Sequence, residues 1–170
     1  MRIVIALRAT ISLAVGLFIT FNPSHSPSTG LLSLAIFGIS FAVINAVATS
    51  IWGKGLTAVE NMPLTVAAFL IGLLSILVPS ADSSAQVLAF IYLVTGWGLI
   101  SGSFELYLAR RAGFRTRSGK DSLINAGFGL LLGILFLLAP LDIVSAVGFL
   151  GAYLVLSGVH LGIAAATEDK

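Results

Sequence analysis

Three times in this chain a glycine within an apolar run is followed seven positions later by a proline: Gly16 to Pro23 (GLFITFNP), Gly72 to Pro79 (GLLSILVP) and Gly133 to Pro140 (GILFLLAP). Each proline closes one apolar span, and after a short polar turn a second span begins. The longest copy runs from Gly127 to Thr167, with a tight turn at Pro140, Leu141 and Asp142. A two-span unit written three times predicts three hairpins and six spans: Ile3 to Phe21, Gly30 to Ile51, Met62 to Val78, Ala85 to Ala109, Ser122 to Ala139 and Ile143 to Ala166.

Each span has about the 17 to 25 apolar residues that a helix needs to cross the hydrocarbon core of a bilayer. A membrane strand would need only about 9 to 11 residues and would alternate in polarity, which these spans do not. A helix also satisfies its own backbone, as hydrocarbon requires. The rest of the composition agrees: 58% of the 170 residues are hydrophobic and 9% charged, against about 25% charged in a soluble domain. The first span, although basic at its start, is read as a membrane helix and not as a cleaved signal. Arg8 interrupts it, no small-x-small site precedes Asn22, and Gly16 and Pro23 belong to the repeat.

The turn from Asn22 to Thr29 is rich in Pro, Ser and Asn, whose backbone constraints and local hydrogen bonds end helices. Trp52 stands where an indole favours the headgroup boundary. Pro79 stops the third span, since proline disfavours helix for the residue before it. The one strongly charged segment is Arg110 to Asp121 (RRAGFRTRSGKD), read as a loop.

In a six-span arrangement all nine Lys and Arg fall on one side: Arg2, Arg8, Lys54, Arg110, Arg111, Arg115, Arg117, Lys120 and Lys170. The turns near Pro23, Pro79 and Pro140 carry Asp82, Asp142 and His25. The positive-inside rule then puts both termini and the arginine loop in the cytoplasm of a bacterial inner-membrane protein. Because each repeat holds an even number of spans, the repeats enter the membrane in the same direction, and parallel repeats are related by an axis along the membrane normal. The fold expected is an all-α integral membrane domain over residues 1–170. Its six transmembrane helices form three parallel two-helix repeats (about 1–52, 62–109 and 122–167) in an approximately threefold bundle. Close packing is expected at small residues such as Gly98 and Gly102, a G-x-x-x-G pair, and Gly129 and Gly133.

Polar groups inside the spans are the natural candidates for function, since such groups are costly in hydrocarbon and face a partner or a cavity. Five stand out: Arg8, Asn45, Glu105, Asn125 and His160. Arg8, Asn45, Glu105 and His160 lie about four to six residues from the cytoplasmic span ends, roughly 6 to 9 Å at the helical rise, and are expected to share one layer. Superposing the repeats puts Asn45 and Glu105 at matching positions, with Leu161, beside His160, as the third. One reading pairs Glu105 with Arg8 across the bundle, with Asn45 and His160 alongside. Such a cluster would respond to cytoplasmic acid, because histidine changes charge near neutrality and a desolvated glutamate joins it. The other reading has Arg8 snorkelling to headgroups, Glu105 meeting Arg110 or water, and Asn45 and His160 making structural hydrogen bonds.

His25 reads as a solvated turn residue, with no second ligand at metal spacing, and Trp97 as packing. Arg110, Arg111, Arg115, Arg117 and Lys120 serve either as a topology signal alone or as a site for anionic lipid headgroups, at about 1 kcal/mol per basic residue. Cysteine is absent, which removes disulfides and thiol chemistry. No Walker loop, dinucleotide fingerprint, HExxH or GxSxG is present. The chain is therefore expected to be non-enzymatic, with no cofactor, no metal and no nucleic-acid partner. Its expected partners are the lipid bilayer, anionic lipid, and either another membrane protein or a second copy of itself.

The three Gly-to-Pro segments, together with SGSFELYLARR (Ser101 to Arg111) and SGVHLGIAAAT (Ser157 to Thr167), resemble the short-repeat bacterial inner-membrane proteins typified by HdeD. The likeness covers nearly the whole chain. The first repeat departs from it, with Phe41 and Ala42 in place of Ser-Gly. The resemblance implies a six-span membrane protein linked to acid or envelope stress, and it implies no catalytic residues. The rival classes are an accessory subunit or assembly factor of a larger membrane complex and a small transporter or channel.

Overall fold

A computed structural model of the chain describes residues 2–52, 61–78 and 82–167, with the backbone alone for Arg2 and Trp52. The side chain of Trp52, with Lys54, Pro79 and Lys170, lies outside the described residues.

The described residues form six helices: α1 Arg2–Phe21, α2 Pro27–Trp52, α3 Met62–Leu77, α4 Ser83–Ala112, α5 Arg117–Leu138 and α6 Ile143–Thr167. Five of them are long and apolar enough to cross a membrane. The exception is α3, whose 16 residues span about 24 Å at 1.5 Å per residue, short of a hydrocarbon core of about 30 Å.

The helix ends follow local chemistry. Pro27 opens α2 with its preset φ, and Ser26 Oγ accepts from the Thr29 amide at 3.3 Å. Asp82 caps α4 by accepting from the Ala85 amide at 2.8 Å. Asp142 caps α6 by accepting from the Val144 and Ser145 amides at 3.0 and 3.1 Å. In both turns the hydroxyl of a following serine, Ser84 or Ser145, and then backbone amides hold the capping carboxyl below the ordinary aspartate range.

The basic segment differs from the expected loop over 110–121. Helix α4 continues through Arg110 and Arg111 to Ala112, and α5 starts at Arg117, leaving only Gly113 to Thr116 as the connection. Gly113 has φ +89°, a conformation open to glycine at little cost, and Thr116 Oγ1 caps α5 through the Gly119 amide at 3.0 Å. Helices are free to extend beyond hydrocarbon wherever caps and polar side chains satisfy their ends in water, so the apolar span underestimates the helix.

Helix pairing does not follow the hairpins. The closest partners are α2 with α3, α4 with α5, and α6 with α1, whereas α1–α2, α3–α4 and α5–α6 touch less. The cause is where the glycines point. A methyl added at Gly16, Gly72 or Gly133 would sit 2.8 Å from the backbone nitrogen of Val155, Ile39 or Leu99 respectively, so in each close pair one backbone lies against the other. Helices α2, α4 and α6 also touch one another and line the centre, with Leu31, Leu34, Val94, Val147, Leu150 and Leu154 fully buried there. Outward faces are covered with Leu, Ile, Val and Phe, among them Leu131, Leu138 and Phe21. The α5–α6 seam has no glycine contact and leaves a groove of about 170 Å³ between Phe128, Leu135, Phe149 and Tyr153.

Candidate functional site

The centre of the bundle changes character along its length. We call the end that carries Arg110 to Lys120 the basic end, and the end with Asp82 and Asp142 the turn end. Midway between them, Trp97 of α4 is 2% exposed. Its ring meets Phe37 and Phe41 of α2 edge-on at 5.1 and 5.3 Å, and its Nε1 donates to the Tyr153 hydroxyl of α6 at 3.1 Å. Ser101 Oγ donates to the Trp97 carbonyl at 2.6 Å. The indole N–H has its acceptor and its ring has two edge-on neighbours, so the aromatic groups that fill the axis hold one orientation.

On the basic side of this plug the lining becomes polar. Arg8 Nε donates to Asn45 Oδ1 at 2.6 Å, and the guanidinium lies 5.0 Å from the centroid of the Phe41 ring, a cation–π distance. Glu105 is an electrostatic neighbour of both Arg8 and His160. His160 Nε2 lies 3.2 Å from the Asp121 carbonyl and 4.0 Å from Asp121 Oδ1. Facing an acceptor, that nitrogen carries the proton. The Phe128 ring stands edge-on to the imidazole at 6.2 Å. Asn45 is 1% exposed, and its Nδ2 has no partner, nor does Oδ1 of Asn125.

Arg8 and Asn45 therefore meet, although they come from α1 and α2, and Glu105 of α4 lies within electrostatic reach of Arg8. His160 is turned toward α5, where it faces Asp121. Phe41, Ser101 and Tyr153 belong to the same site; the first two stood out in sequence only as repeat positions, and Tyr153 did not stand out. Repeat register was the available signal: Phe37, Trp97 and Tyr153 fall at one position when Phe41-Ala42, Ser101-Gly102 and Ser157-Gly158 are aligned. The same alignment explains the departure in the first repeat, because Phe41 replaces a serine and supplies the ring that Arg8 and Trp97 both contact.

Gly98 and Gly102 lie against α5, where added methyls would fall 2.5 Å from the Gly133 nitrogen and 2.6 Å from the Leu130 nitrogen. Gly129 lies within 2.9 Å of Gly102 on the same measure. Arg110, Arg111, Arg115, Arg117 and Lys120 are all exposed at the basic end. Arg110 and Arg111 suit the C-terminal dipole of α4, but Arg117 and Lys120 oppose the N-terminal dipole of α5. Helix stability therefore does not account for the whole set.

Among the described residues no three His, Asp or Glu side chains converge on a metal position. Compared with family models, with curated proteins and with solved structures, the chain matches none of them.

Proposed function

We propose that this chain is a multi-pass protein of the bacterial inner membrane that supports the envelope under acid stress without enzymatic chemistry, as its resemblance to HdeD-like proteins implies. Its three two-helix repeats run parallel about an axis along the membrane normal, with both termini and the arginine segment in the cytoplasm. The threefold arrangement is supported by the three matching contacts of Gly16, Gly72 and Gly133, each made to the same register position of the preceding repeat, with the first repeat closing onto the third. The membrane setting is supported by an outer surface of large apolar side chains and by helix–helix contacts made at glycines, the packing used where lipid supplies no hydrophobic drive.

The observation that carries the stress reading is the Arg8–Asn45 hydrogen bond on the cytoplasmic side of the aromatic plug, with Glu105 in electrostatic reach of both Arg8 and His160. Ionisable groups at membrane depth are functional-site candidates by default, and this set brings a guanidinium, a carboxylate and an imidazole to one end of the bundle. A channel along the axis is disfavoured by Trp97, Phe37, Phe41 and Tyr153, which occupy it.

The test is survival of cells expressing Glu105→Gln or His160→Phe at matched levels after an acid pulse. Both variants are expected to lose the protection given by the parent chain. Unchanged survival removes the acid-stress function.

A further inference from the structure

Two kinds of contact hold this bundle, and they fall in different places. Within α6–α1, α2–α3 and α4–α5, backbone lies on backbone at Gly16, Gly72 and Gly133, and again where methyls at Gly158 and Gly102 would meet the Leu13 and Leu130 nitrogens at 2.8 and 2.6 Å. Between these pairs the helices are looser, and the α5–α6 seam contains the open groove. Gly127 and Gly148, also on α5 and α6, have open space where a side chain would be. At the cytoplasmic end, Arg8 belongs to the α6–α1 pair, Asn45 to α2–α3 and Glu105 to α4–α5. Arg8 thus ties the α6–α1 pair to the α2–α3 pair, through a 2.6 Å hydrogen bond to Asn45 and a cation–π contact 5.0 Å from the Phe41 centroid, with Glu105 of the third pair an electrostatic neighbour.

We propose that the rigid units of this protein are the glycine-knit pairs and not the sequence hairpins, and that Arg8 is the clamp that holds the α6–α1 pair to the α2–α3 pair at the cytoplasmic end. Breaking its contacts lets these two pairs separate along the α1–α2 seam and exposes the axis up to the aromatic plug, while each pair stays intact. The direction of opening follows from the lining. On the turn side of Trp97 the axis is closed by Leu34, Val94 and Leu150, all fully buried. On the cytoplasmic side it holds Ser101, Ser157, Asn45 and Glu105, which water solvates readily. Packed helices move as bodies over seams of this kind rather than deforming internally. The inference rests on the membrane reading above.

The absence of cysteine makes thiol labelling of the full chain in membrane vesicles a direct test. Ser157→Cys places a thiol on the axis below the plug, at a site now 9% exposed. Ala9→Cys with Gly162→Cys places a pair inside the α6–α1 unit, where the Cβ separation of 4.0 Å falls in the disulfide range. A charged maleimide applied from the cytoplasmic side is expected to label Ser157→Cys slowly in the parent. Labelling is expected to rise about tenfold in Arg8→Leu and in the charge-retaining Asn45→Leu, the size of effect that loss of one charge-assisted hydrogen bond gives. The Ala9–Gly162 disulfide is expected to form equally in all three. Continued protection of Ser157→Cys in both variants overturns the clamp, and so does fast labelling in the parent. Loss of the Ala9–Gly162 disulfide together with labelling overturns the rigid pairs. Labelling from the opposite side alone overturns the orientation, and unchanged acid survival overturns the stress function; each leaves the clamp standing.

Discussion

Arg8 Nε and Asn45 Oδ1 lie 2.6 Å apart and join α1 to α2, two helices of one hairpin that touch each other less than each touches its close partner. The bond replaces, with a single charge-assisted contact, the backbone packing that glycines provide elsewhere in the bundle. Asn45 reaches no other partner through its Nδ2, so its role in the fold is this acceptance.

Asn45→Leu is accordingly expected to destabilise the protein by about 1–2 kcal/mol, the upper part of the range for hydrogen bonds between membrane helices, because a charged donor is left unpaired. Arg8→Met combined with Asn45→Leu is expected to recover most of that loss, since neither polar group then remains. Unfolding in mixed micelles by denaturing detergent, followed by circular dichroism, reads both, and equal loss in single and double variants would contradict the pairing.

The glycines should separate into two classes by the same measurement. A methyl at Gly98 lies 2.5 Å from the Gly133 nitrogen. Backbone cannot step aside, so Gly98→Ala is expected to cost about 1–3 kcal/mol, as overpacking does elsewhere. Gly96, two residues away, has nothing within 4 Å, and Gly96→Ala is expected to stabilise by about 0.5–1 kcal/mol through helix propensity. A similar response at both positions would mean that α4 and α5 are not in backbone contact.

Tyr153→Phe removes the hydroxyl that accepts from Trp97 Nε1. The expected cost is about 1 kcal/mol, together with a shift in Trp97 emission, because a buried indole N–H loses its acceptor. Fluorescence in a Trp52→Phe background isolates the signal. Unaltered emission would place the Tyr153 hydroxyl away from the indole.

Acid should act on the turn end as well. Ser145 and the backbone amides hold the Asp142 carboxyl below the ordinary aspartate value. A depressed folded value means that the stabilising contribution is complete above the unfolded value, about 3.9, and is lost as pH falls through the folded one. The parent is expected to melt above Asp142→Asn near neutrality, with the difference closing below about pH 4. Melting curves at several pH values check this, and a difference that persists in strong acid would refute it.

Much of this architecture could be read from local pattern. The apolar spans anticipated all six helices, and Pro27, Asp82 and Asp142 mark starts that turn and capping chemistry makes recognisable. The segment 110–121 was misjudged because hydropathy reports where lipid ends, whereas Gly113 and Thr116 decide where helix ends. The polar residues of the site were recognisable one by one, as costs that a membrane helix must recover. Phe41, Ser101 and Tyr153 were not, because an aromatic ring or a serine in an apolar helix is ordinary until its neighbour is known.

Sequence alone determined where the six helices fall and where charge collects along the chain, since these depend on hydropathy, on turn residues and on the placement of Lys and Arg. Tertiary structure alone decided that α1 packs chiefly on α6 and less on its hairpin partner, and that Arg8 meets Asn45. Those outcomes depend on the angle at which each glycine and each polar group leaves its helix relative to a neighbour far away in the chain. That relation exists only once the helices have packed.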